Sequence, residues 1–195
     1  MFVKRRDNIN TVSEVVSANV GMPIEEFSRE VRDPYIFGLS EAVALTNHYL
    51  KKHPDGPVTI VGDYDSDGIN ATAIMYWAFA RKGVIPKLRL PHRFSEGYGL
   101  SEKIIDEVDS GLLITVDNGI AASSAVKKAK EKGLTVIVTD HHLPPVDSKG
   151  NLILPEADVI VDPHDNGKSE FADYCGAAIA YRFARALLPD LKLKD

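Results

Sequence analysis

The chain is poor in several features that would force an unusual reading. It has one cysteine, Cys175, which excludes an intrachain disulfide framework and fits a reducing compartment. No apolar run is long enough to span a bilayer. The basic start, MFVKRRDNIN, lacks the apolar stretch that a secretory signal needs. The expectation is a soluble, cytoplasmic protein. Positive charge is not in excess: 23 Lys and Arg stand against 28 Asp and Glu, for a formal net charge of −5. That balance argues against a nonspecific nucleic-acid coat. It does not exclude a nuclease, because a metal site gathers carboxylates whose charge bound ions cancel. Internal repeats, low-complexity tracts and long linkers are also missing. What remains is an ordinary globular composition, 195 residues with 44% hydrophobic and 26% charged. That suffices for one α/β domain with a small appendage.

The first 56 residues read as a helical cap. Pro23 suits a first helical turn, with Glu25 and Glu26 behind it. A second helix is expected from Ser40 through Leu50, broken by HPDGP at 53–57. From residue 57 to 195 strand and helix patterns alternate. Strands are expected at 58–61, 84–90, 112–116, 134–138 and 159–161. Helices are expected at 69–82, from Ser101, at 120–132 and at 175–188. The 69–82 stretch is apolar almost all round and predicts burial. Residues Ala122, Ala125, Val126 and Ala129 make one face of the 120–132 helix, and Ala178, Tyr181 and Leu188 lie near one face of the last. This order predicts an α/β fold with a parallel β-sheet flanked by helices on both faces, after a short helical N-terminal segment.

Ligands of such sheets bind beyond the carboxyl ends of the strands. Four predicted strands end in acidic groups: GDYDSDG at 62–68, DNG at 117–119, DHH at 140–142 and DPHD at 162–165. Side by side, these ends bring their carboxylates into one crevice. Like charges oppose one another's ionisation there, and bound cations relieve that cost. Oxygen ligands with one or two imidazoles suit Mn²⁺ or Mg²⁺ better than a thiolate-type zinc site. If 63–67 stays extended, Asp63, Asp65 and Asp67 share one face. Gly62 and Gly68 would permit sharp entry and exit, and the helix that follows would present its N-terminus to a phosphate. Each piece has an ordinary alternative. Asp-rich loops often cap helices, Asp117-Asn118-Gly119 favours a tight turn, and His141-His142 can be a packed pair.

In order and approximate spacing, GDYDSDG, PHRFSEGYGL, TVDNGI and VIVTDHH resemble the DHH phosphoesterase superfamily, specifically its RecJ branch. The resemblance continues through VDPHDNG and YCGAAIAYRFARALL and covers residues 58–188. It implies a two-metal hydrolase, using Mn²⁺ or Mg²⁺, that removes nucleotides from the 5′ end of single-stranded DNA in repair or recombination. Asp65 and Asp67 resemble first-motif metal ligands, with Asp63 a further ligand. Asp117 resembles the carboxylate shared by two ions, and His141 the histidine ligand of the second. His142 resembles the histidine that contacts phosphate or helps activate water, and Asp140 is grouped with it as catalytic. Arg93 resembles the arginine that grips a DNA phosphate, with His92 and Tyr98 as substrate-binding neighbours.

Two departures from the family pattern stand out. Val61 occupies a position that is histidine in some DHH enzymes. The pattern also continues past the last helix to a strand ending in a metal-binding aspartate, followed by a C-terminal partner domain. Neither occurs before Asp195. The expectation is therefore a phosphoesterase domain at 57–195, incomplete at its C-terminus. Two other functions are compatible with the motifs: hydrolysis of short oligoribonucleotides or cyclic dinucleotides, and a degenerate module that binds nucleic acid or a replication partner.

Overall fold

The computed structural model describes residues 11–21, 23, 33–165 and 167–189. Contacts divide the chain into two compact units, residues 1–34 and 35–195. In the first, α1 (Val12–Val20) starts at a capping box in which Thr11 and Glu14 satisfy one another's backbone amides. It stops at Gly21, whose φ of 73° suits the left-handed cap. The helix expected after Pro23 lies outside the described residues.

The second unit begins with α2 (Leu39–Lys52) and β1 (Val58–Val61), followed by α3 (Ser66–Arg81) and β2 (Lys87–Arg89). Next come α4 (Glu102–Asp106), β3 (Leu112–Val116), α5 (Ser123–Glu131), β4 (Thr135–Thr139), β5 (Val159–Val161) and α6 (Gly176–Leu187). All five strands are parallel, in the order β2-β1-β3-β4-β5. The central strands are β-branched and leucine-rich because both their faces are covered. Ile60, Leu112, Ile114, Val116 and Ile137 face α2, α3 and α6. Val61, Leu113, Val136 and Val138 face α4 and α5. The fold is thus a parallel sheet with helices on both faces. Met75, Phe79 and Phe183 are completely buried on the first face, each contributing roughly 2–3 kcal/mol by removal from water.

Helix α2, read from the sequence as part of a cap, packs on β5 and α6 in this unit. Other expectations shift for local reasons. Helix α3 begins at Ser66, three residues earlier than expected, because Asp65 caps it. It is not buried all round: Trp77 is 63% and Ile69 49% exposed. The strand expected over 84–90 shortens to β2, an edge strand with Ile85 and Leu88 exposed. The buried face of α6 is Gly176, Ile179, Ala180, Phe183, Ala184 and Leu187. This is the i, i+3, i+4, i+7 stripe one residue away from the expected Ala178 and Tyr181.

Candidate metal centre

The strand order reverses between β1 and β3, since β2 lies on one side of β1 and β3 on the other. The loops leaving these neighbouring tips diverge, and that divergence opens a crevice at their carboxyl ends. The chain delivers Asp63 and Asp65 from β1, Asp117 from β3, and Asp140, His141 and His142 from β4.

Ligand atoms of Asp63, Asp65 and Asp117 lie within 4.8 Å of one another, and so do those of Asp117, His141 and His142. Asp117 belongs to both groups. Its Oδ1 is 3.0 Å from His141 Nε2, and it adopts φ 62°, the one non-glycine positive φ among the described residues. Asn and Asp tolerate this region best, and backbone held there is a mark of functional sites. Asp117 is 1% exposed. Burial, and next the charges of Asp67 and Asp65, push its carboxyl up to about 8. Burial likewise raises Asp63, opposed by the backbone amides of Tyr64, Gly99 and Asp65. Asp63 Oδ1 is buried without a hydrogen bond, and so is Asp117 Oδ1, whose 3.0 Å approach to His141 Nε2 is not aligned as one. Such atoms are costly unless something else satisfies them. Carboxylate and imidazole donors with unsatisfied oxygens fit a hard divalent cation.

The expected extended run over 63–67 does not form. The chain turns helical at Ser66, so Asp67 sits in the first turn of α3. Its two carboxylate oxygens accept from the amides of Gly176 and Ala177 at the start of α6, at 2.7 and 2.8 Å. Its Oδ2 is also 3.5 Å from His141 Nε2. Asp67 therefore ties α3 to α6 at the edge of the cluster. Asp65 Oδ1 accepts from the Gly68 amide at 2.9 Å, so this helix N-terminus already holds a carboxylate where a phosphate was expected. Gly62 and Gly68 are needed for space and not for positive φ. A Cβ at 62 would run into Thr72 Oγ1, and one at 68 would sit 2.7 Å from the backbone of Asp63.

Asp140 is 1% exposed and fully engaged. Its Oδ1 accepts from the amides of His141 and His142 and pairs with His142 Nδ1 at 2.7 Å. Its Oδ2 accepts from the Ile120 amide. Burial alone would raise Asp140, but the bonds from His142, Ile120 and His141 outweigh it and hold the carboxyl low. The same His142–Asp140 bond pushes His142 up to about 8. Tyr98 donates to the Asp117 carbonyl and lies 3.0 Å from His142 Nδ1. Burial and the surrounding carboxylates push its hydroxyl upward.

The remaining expected residues stand at the mouth. Arg93 is exposed, its guanidinium 5.3 Å above the Tyr64 ring. His92 is also exposed. Its ring pairs with Ser95 and its amide donates to Glu96.

Several residues around the cluster were given no site role from the sequence. Asn118, read as a turn residue, is completely buried. It donates to the carbonyls of Val61 and Val116 and accepts from the Leu100 amide, tying β1, β3 and the 98–100 loop together. Asp162, at the tip of β5, is 4% exposed with one oxygen unpartnered. Burial pushes it up to about 7. Its position at a strand end was the available signal. Gly176 left no signal, yet a Cβ there would collide with Asp117 Oδ1.

A parallel sheet with this acid and histidine set at its switch point can be compared with known proteins. Residues 57–194 match the DHH family, N-terminal domain. The chain belongs to the DHH family. It is 40% identical over 164 residues to the single-stranded-DNA-specific exonuclease RecJ of Bacillus subtilis, across 82% of this chain and 20% of that one. The crystal structure of an exonuclease RecJ bound to manganese matches with a TM-score of 0.69 at 32% identity, over 82% of this chain and 39% of that one. RecJ from Thermus thermophilus in complex with Mn²⁺ matches with a TM-score of 0.68 at 25% identity, over 91% and 25%. This DHH-family chain thus spans about a fifth of the length of the curated relatives it matches. Among its described residues, no helix is long and apolar enough to cross a membrane.

Proposed function

We propose that this DHH-family chain carries the metal-binding half of a RecJ-like exonuclease, which hydrolyses phosphodiester bonds of single-stranded DNA from the 5′ end with Mn²⁺ or Mg²⁺. The observation that carries the reading is the pair of ligand groups, each within 4.8 Å, joined through Asp117. Similarity to RecJ proteins narrows the substrate to single-stranded DNA. Two cations would be held among Asp63, Asp65, Asp67, Asp117 and His141. Bound there, they supply Lewis acidity and cancel charge on the phosphoryl group.

The chain's own residues do the rest. His142, held by Asp140 through a 2.7 Å bond that favours its protonated form, is placed to meet the phosphate. Asp140 orients that ring. Arg93, seated on Tyr64, offers a guanidinium fork to a substrate phosphate at the mouth. Tyr98 and His92 line the approach. On this reading residues 57–195 form the phosphoesterase domain and 1–56 a helical cap, in a cytoplasmic repair or recombination protein whose C-terminal partner domain closes on substrate.

The test is hydrolysis of 5′-labelled single-stranded DNA, short RNA and a cyclic dinucleotide with Mn²⁺, using the chain and its Asp117→Ala variant. Release of 5′-mononucleotides from DNA that the variant abolishes is the expected result. Preference for RNA or the cyclic dinucleotide would reassign the substrate. Undiminished Mn²⁺-dependent cleavage by the variant would remove the assigned centre.

A further inference from the structure

A cavity of about 150 Å³ lies between the loops that follow β3 and β4. Its walls include Tyr98, Leu100, Ile120, Ala121, His142 and Leu143. His142 is shared with the Asp117–His141–His142 group, so the cavity and the candidate metal centre have a wall in common. A phosphate held at that group would meet the His142 wall, so its attached nucleoside would lie beside the cavity.

The walls specify what fits. Of the polar side chains lining the cavity, Asp140 and Tyr98 are already engaged, and His142 is the one assigned to the phosphate. Asp140 accepts through both oxygens, and Tyr98 donates to the Asp117 carbonyl while pairing with His142. A sugar would find few partners for its hydroxyls there and would leave them unsatisfied. Leucine, isoleucine, alanine and a tyrosine ring offer apolar surface instead. At the rim Leu143 is 77% and Tyr98 48% exposed, and apolar surface of this kind gains when a flat ring covers it.

We infer that this cavity seats the nucleobase of the nucleotide whose phosphate occupies the neighbouring acid–histidine cluster, by stacking and apolar contact and not by recognition of hydrogen-bonding edges. The inference rests on the phosphoesterase reading above. It carries a consequence for specificity: every base has a π face, so the seat accepts purines and pyrimidines alike.

The experiment measures binding of thymidine 5′-monophosphate, deoxyadenosine 5′-monophosphate and 2-deoxyribose 5-phosphate to the full chain with Mg²⁺ by saturation-transfer NMR. The two nucleotides should bind similarly and roughly 5- to 100-fold more tightly than the sugar phosphate. Ala121→Trp, a substitution at an exposed position, should fill the cavity and bring the nucleotides down to the sugar phosphate. Leu143→Ala should reduce the base-dependent gain in part. Equal affinity for all three ligands, or a gain that survives Ala121→Trp in a protein with native circular dichroism, would overturn the seat. Should Ala121→Trp fail to fold, an unchanged gain in Leu143→Ala overturns it. A parallel Mn²⁺ titration separates the two readings. Cation binding without a base-dependent gain sinks only the seat. Absence of cation binding sinks the phosphoesterase reading, and free thymidine is then the probe whose failure to bind overturns the seat.

Discussion

Asp117→Asn should stabilise the metal-free protein while removing its response to divalent cations. Asp117 is 1% exposed, and its carboxyl is pushed from 3.8 to about 8 by burial and by Asp67 and Asp65. The folded state therefore binds a proton that the unfolded state releases. The stability this lends is fully present below 3.8 and is lost as pH rises through about 8. At about 1.4 kcal/mol per pH unit, the ceiling on the loss is on the order of 6 kcal/mol. Coupling to neighbouring carboxylates and screening by nearby water bring the expectation to about 2 kcal/mol. Asparagine has a similar shape, carries no charge and accepts the φ of 62°. In EDTA at pH 8 its Tm should exceed that of the parent by roughly 4–8 °C, and the gap should close toward pH 4. Saturating Mn²⁺ should reverse the order, because only the parent gains stability by binding. The assay is thermal unfolding monitored by circular dichroism across pH, with and without metal. An Asp117→Asn protein less stable than the parent in EDTA at pH 8 would refute the reasoning.

Two further outcomes follow from contacts around the same cluster. Gly176→Ala should cost about 1–3 kcal/mol in urea unfolding and at least ~10-fold in Mn²⁺ affinity by calorimetry, because the new Cβ meets Asp117 Oδ1. Asp140→Asn should lower the His142 titration from about 8 toward or below its ordinary 6.5, read from the ring-proton NMR shift, because the bond to Asp140 is the main cause of the rise. That bond's stability is fully present below 6.5 and is lost as pH rises through about 8, so the variant's deficit should narrow across that interval.

Much of the fold was legible because its signals are local. Val58–Val61, Leu112–Val116 and Val159–Val161 are strands with the bounds read from the sequence, since short β-branched runs between breakers have few other uses. The candidate site was legible as a set of acidic strand ends. Its shape was less so. Asp65 leaves the extended chain to cap α3, which puts Asp67 in the first turn of that helix, bonded to the start of α6 and 3.5 Å from His141 Nε2. A spacing of two in sequence could not reveal that turn.

The sequence by itself determined which residues stand at strand tips and that the sheet is parallel, because alternation of β-branched runs and amphipathic helices acts over a few residues at a time. The tertiary structure alone decided which tips are neighbours. The order β2-β1-β3-β4-β5 places Asp63 and Asp65 beside Asp117, buries Asn118 as the tie between β1 and β3, and requires a glycine at 176 to leave room for the Asp117 carboxylate. These depend on pairings between segments tens of residues apart, whose partners no local pattern records.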